Sequence, residues 1–85
     1  MNALTQLPNI GKELEKQLQQ AGIDTYEDLQ SVGAEEAWLR IQQFDPSACI
    51  NRLLALEGAI QGVKKTLLPE ECKSKLKEFY HTHKK

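Results

Sequence analysis

Two cysteines, three prolines and five aromatic residues in a chain of 85 leave little material for several kinds of protein. Cys49 and Cys72 stand apart with no CxxC spacing, so they read as reduced, partly buried apolar residues rather than as a disulfide framework or a metal set. No apolar run approaches the ~18 residues of a membrane span. The opening MNALTQLPNIGKE lacks a basic start leading into an apolar stretch and a cleavage site. A cytoplasmic chain with no membrane partner is expected. Period-two alternation is missing and β-branched residues are few, so no strand competes. His81 and His83 form an HxH pair in a tail expected to fray over residues 81–85, and a metal site needs three or four ligands on rigid positions. There is no P-loop, no dinucleotide glycine fingerprint and no Ser/Cys–His set with a supporting third group. Neither catalysis nor a cofactor nor a metal is expected.

Charge of one sign is also missing, since the net charge is −1. The balance conceals a polarity. Residues 1–45 hold three Lys/Arg and eight Asp/Glu, while residues 46–85 hold eight and four. Such a split implies either a basic binding face or two halves that attract each other on folding.

What is present is helical periodicity. Ile10, Leu14, Leu18 and Ala21 share one face of a helix over 10–21. Asn9 is its expected N-cap, and Gly22 takes the left-handed position after it. Thr25 and Asp28 nearly make a capping box for a short helix over 26–32, ended by Gly33. A third helix covers 34–43, with Ala34, Ala37, Trp38, Ile41 and Phe44 on one side. Asp45 and Pro46 predict the start of a fourth helix, running to about residue 61. A fifth begins at Pro69 and ends near His81, with Cys72, Leu76, Phe79 and Tyr80 as its stripe.

The fourth helix is the expected centre of a single domain. Cys49, Ile50, Leu53, Leu54, Leu56, Ile60 and Val63 cover more than half of it. Gly58 and Gly62, each costing roughly 1 kcal/mol relative to Ala inside a helix, imply close approach of a neighbour. Trp38, Leu53, Leu56, Gly22, Gly58 and Gly62 are therefore expected to act structurally. Glu57 falls inside the apolar arc, so its carboxylate is expected to be half buried. It must then be tied to backbone N–H groups or to a basic side chain such as Arg40.

Two surfaces could meet a partner. In the run from Leu7 to Gly11 a tight turn feeds a helix N-terminus, where free N–H groups and the dipole favour an anion. Asn9, Gly11, Lys12 and Lys16 are the candidates there for contact with a nucleic-acid phosphate. The alternative is a turn that merely forms the fold. The second surface is basic: Lys64 and Lys65, then Lys73 and Lys77 on an expected exposed face of the last helix, with Lys84 and Lys85 beyond. Its alternative is a lysine-rich end that complements the helix dipole and keeps a small domain soluble.

The motifs Leu7-Pro8-Asn9-Ile10-Gly11, Ala21-Gly22-Ile23, Tyr26-Glu27-Asp28-Leu29, Gly33-Ala34, the stretch LLALEGAIQG from Leu53 to Gly62, and Leu68-Pro69 follow one another in order. Over residues 4–80 the chain resembles the C-terminal domain of the TfoX (Sxy) competence-regulator family. The resemblance implies an all-α, compact five-helix domain of helix-hairpin-helix (SAM-like) type, linked to regulation of natural competence and transcription in bacteria. In longer members a separate N-terminal domain precedes this one, so a stand-alone C-terminal domain is expected here. Two departures from a DNA-binding hairpin stand out. Asn9 replaces the first of its two glycines, and Glu15 stands where Ala is usual. Glu13 and Glu15 offset Lys12 and Lys16, which weakens phosphate attraction. The expected partner is DNA or a regulatory protein, leaving a non-catalytic nucleic-acid-associated module and a protein-docking adaptor as the two functional classes.

Overall fold

The computed structural model describes residues 4–83, the side chain of Thr5 excepted. Five α-helices follow one another: α1 (Lys12–Gln20), α2 (Tyr26–Val32), α3 (Ala34–Phe44), α4 (Ile50–Gln61) and α5 (Glu70–His83). Single 3-10 turns at Leu4–Gln6 and Lys65–Leu67 precede α1 and α5, and no strand occurs among the described residues. The all-α, five-helix reading holds.

Local chemistry sets the ends. Asn9 lies at φ 70°, left-handed rather than the extended geometry of a cap. The N-cap of α1 is therefore Gly11, in extended backbone with no capping side chain, and the helix starts two residues later than its apolar spacing predicts. At the other end Ile23 N–H donates to Leu18 O and Gly22 N–H to Gln19 O, the paired bonds of a Schellman motif, with Gly22 at φ 84°. The same motif closes α4, where Val63 N–H meets Gly58 O and Gly62 takes φ 76°. Gly62 thus reverses the chain and does not line a helix contact, contrary to expectation. Thr25 Oγ1 accepts from Asp28 N–H, as a capping box requires. The return bond of Asp28 goes to Asp24 N–H, one residue early.

The expected start of α4 at Pro46 is wrong. Residues 45–48 form a turn in which Ala48 N–H donates to Asp45 O, and Asp45 Oδ1 accepts from Ser47 N–H and its hydroxyl. The helix begins at Ile50 with Cys49 as N-cap. Asp followed by Pro suits the first two positions of a type I turn as well as a helix start. The same carboxylate bond serves both, so the local sequence does not separate them.

α4 is central. It packs against α2, α3, α5 and the Lys65–Leu67 turn, while α1 lies chiefly on α3. Leu53, Leu56 and Trp38 are fully buried. The indole N–H of Trp38 donates to Cys49 O at 3.2 Å, and its ring makes T-shaped pairs with Phe79 and Tyr80 at centroid separations of 6.1 and 5.6 Å. α5 extends past the expected frayed end to His83. Buried Gln42 reaches from α3 to His83 O at 2.9 Å, and the His83 ring stacks on Phe79. Lys84 and Lys85 lie outside the described residues.

Candidate interaction site at the first turn

Asn9 links the first turn to the far end of α4. Its left-handed backbone turns the side chain inward, where Nδ2 donates to Val63 O at 3.0 Å and more weakly to Ala55 O at 3.5 Å. Oδ1 accepts from Lys65 N–H at 3.1 Å. Both ends of the amide are engaged inside the protein, so the expectation that Asn9 contacts a phosphate gives way to a structural role. Gly58 makes room for it: a Cβ there would stand 2.5 Å from Asn9 Nδ2 and 2.8 Å from Val63 O. The close approach expected at Gly58 is real, but its neighbour is this turn and not another helix.

The bond to Lys65 has a wider effect. It sets residues 62–67 beside the first turn, and the two segments share an open groove of about 740 Å³ lined by Gln6, Pro8, Val63, Lys64, Lys65 and Leu67, among others. The Pro8–Asn9 part of the turn and the Lys64 and Lys65 pair, separate in the sequence, line this one groove, with Gly11 and Lys12 outside its lining. Lys64 is exposed and Lys65 half-exposed. Leu67 in the same groove is 69% exposed. Gly11 and Lys12 follow Asn9 directly and both are exposed. Gly11 has ordinary extended backbone (φ −93°, ψ −179°), and nothing lies within 4 Å of where its Cβ would be. Lys16 is also exposed, in a shallow groove shared with Lys12, Glu13 and Glu15.

The remaining basic candidates separate. Lys73 is not on a free face; its side chain is 21% exposed, and Nζ donates to Thr66 O at 3.2 Å with Glu70 at 3.8 Å. Lys77 is exposed on α5. The ion pair Asp45–Arg52 joins the acidic half to the basic half.

Glu57 is half-buried as expected, but its tie is different. Its carboxylate accepts from Gln61 on the same helix at 2.6 Å. Arg40 instead pairs with Glu36 and donates to Ala21 O. One charged site was missed in the sequence. Asp45 gathers Ser47, Arg52 and Gln17, the last two at 2.7 Å each. The Ser47 hydroxyl, then Arg52 and Gln17, hold its carboxyl well below the usual range. Tyr26 was also missed; its hydroxyl donates to Ile60 O at 2.7 Å and ties α2 to the end of α4. Among the described residues no cluster of three or more His, Cys, Asp or Glu is placed to hold a metal ion. None of their helices is long and apolar enough to cross a membrane.

The family described as the TfoX C-terminal domain matches residues 1–80. The chain belongs to this family. Within it, this TfoX C-terminal domain is 36% identical over 76 residues to Protein Sxy of Escherichia coli (strain K12), covering 89% of the chain. It spans only 36% of the length of that curated relative. Two solved structures from Listeria monocytogenes are similar throughout. An uncharacterised protein in a triclinic crystal form has 48% identity and a TM-score of 0.94, covering 95% of this chain and 92% of that one. A protein of unknown function in a tetragonal form has 49% identity and a TM-score of 0.91, with 93% and 96% covered. The three chains therefore share one fold.

Proposed function

We propose that this domain is a non-catalytic regulatory module of helix-hairpin-helix (SAM-like) type, working in the bacterial cytoplasm. Its first turn takes a backbone phosphate of nucleic acid. The observation that carries the reading is Gly11. Neither its backbone angles nor its internal neighbours require a glycine, yet the space over it is open at a helix start that no side chain caps. A phosphate can approach the α1 amides there, where the helix dipole favours it. Lys12 supplies charge from the first turn of α1, and Lys64 and Lys65 supply it from the segment that Asn9 holds alongside. Such contacts position a duplex without reading its bases.

The test is fluorescence anisotropy of a labelled duplex over a salt series. Three lysines predict an apparent log–log salt slope of about −2 to −3. Lys64→Glu with Lys65→Glu, or Lys12→Glu, is expected to abolish binding, while Lys77→Glu leaves most of it. Gly11→Asp is the sharper variant. An aspartate N-cap stabilises α1 by a few tenths of a kcal/mol or more yet blocks the anion, so binding is lost as stability holds or rises. Binding that survives Gly11→Asp contradicts the reading. Leu67, exposed beside Pro8 and Val63, favours a second reading of the same groove as a protein-docking face. That reading takes over if no duplex binds even at about 20 mM salt, where phosphate attraction is strongest.

A further inference from the structure

A second groove shares no residue with the first turn. It is open, about 520 Å³, and runs between the α2–α3 joint and α5. Its apolar walls include Val32, Leu39, Leu76 and Phe79, and Glu57 of α4 enters it with Cys72 alongside. Glu35, Glu36 and Lys75 complete the rim. Three carboxylates thus face one ammonium, and Glu36 is already engaged by Arg40.

Glu57 is the informative residue. It stands half-buried on the most apolar helix, with Leu53 and Leu56 fully buried nearby in sequence. Its described partner is the neutral amide of Gln61. Among the described residues no lysine or arginine is within ion-pair distance of it, Lys75 on the same rim included. A partly desolvated carboxylate of this kind is stabilised most by a cationic donor, which adds the attraction of opposite charges to the hydrogen bond. Apolar walls beside it suit aliphatic side chains on the same ligand. The acidic rim repels a nucleic-acid backbone.

We infer that this groove docks a cationic amphipathic segment of a partner protein, with an arginine or lysine on Glu57 and aliphatic side chains against Leu39, Leu76 and Phe79. The domain then has two working faces, one for phosphate and one for protein, that can be removed independently. The order of charge fits: the groove draws its acidic rim from the α3 start and α4, while Lys64 and Lys65 lie on the other surface.

The probe is a short fluorescein-labelled peptide whose helical face carries leucine and arginine, compared with its glutamate counterpart. Binding to the full chain is expected for the arginine peptide and not for the glutamate one. Glu57→Gln keeps a hydrogen-bonding partner for Gln61, so the fold is expected to stand by its unchanged Tm while affinity falls roughly tenfold. Lys75→Glu is expected to tighten binding several-fold, a gain that misfolding cannot imitate. Glu71→Gln, an exposed acid outside the groove, is the control and leaves affinity unchanged. The occupied groove also slows alkylation of Cys72 and leaves Cys49, at the other end of α4, unaffected. Equal binding of both peptides, insensitivity to Glu57→Gln and Lys75→Glu, or unprotected Cys72 overturns the proposal. So does concentration-dependent dimerisation abolished by Glu57→Gln, which assigns the groove to a second copy of the chain.

Discussion

Asn9 and Gly58 lie 49 positions apart and act as one device. Removing the amide in Asn9→Ala leaves Val63 O and Lys65 N–H without their partners, at a cost of about 1–3 kcal/mol. For a domain of this size that lowers Tm by roughly 4–8 °C per kcal/mol. Gly58→Ala sets two effects against each other. Ala favours the helix by about 1 kcal/mol, whereas its Cβ would overlap the Asn9 amide and the Val63 carbonyl, at about 1–3 kcal/mol. The backbone contact cannot swing away, so net destabilisation is expected. In the double variant the Asn9 part of the overlap is gone, and the loss is smaller than the sum of the two. Thermal melting of the four proteins checks this; additive losses, or a stabilised Gly58→Ala, contradict the coupling. Glu57 behaves differently. Its bond to Gln61 is a same-helix pair, so Glu57→Ala changes stability by under about 0.5 kcal/mol.

Between elements, the turn after α3 is held by charge. Asp45 binds Gln17 of α1 and Arg52 of α4 as well as its own turn. Its carboxyl is held below its unfolded value, so the contribution is complete above the unfolded pKa of about 4 and fades as pH falls toward the lower folded value. Urea midpoints of the chain and of Asp45→Asn are therefore expected to differ by a constant amount above about pH 5, and the gap is expected to shrink progressively as pH falls below about 4 toward the lower folded value. A gap that does not shrink at all between about pH 4 and pH 2 contradicts the assignment. The end of α5 gives an opposite expectation to the one drawn from its polar sequence. Deleting residues 81–85 strips buried Gln42 of its acceptor at His83, and an orphaned buried amide costs about 1–3 kcal/mol. A truncated chain with unchanged Tm shows that last turn to be dispensable. The HTH tripeptide reads as tail because its helix-forming reason, a contact from Gln42 on α3, lies 41 positions away.

The whole molecule was legible to the extent that its information is periodic. Leu14 with Leu18, Trp38 with Ile41 and Leu53 with Leu56 announced the faces that are fully or nearly buried, and Gly22 and Gly33 announced breaks. Order along the chain then brought the family. The site was legible only in pieces. The turn at residues 8–11 and the Lys64 and Lys65 pair were each visible, but their union depends on one asparagine rotating through positive φ to bond the end of α4. Nothing local marks that. Asp45 was misassigned for a related reason, because its carboxylate makes the same first bond in a turn as in a cap. Lys73 looked free because Thr66 O, its acceptor, belongs to a turn that no periodic pattern reveals.

In the proposed mode of binding, Asn9 joins an open helix start and a lysine pair into one phosphate-contacting face. Backbone amide NMR during titration with a short DNA duplex tests it most directly. The largest shifts are expected at Gly11, Lys12, Lys64 and Lys65 together, and are expected to vanish in Gly11→Asp. Shifts centred on Lys77 and the rest of α5, with the first turn unmoved, would contradict it.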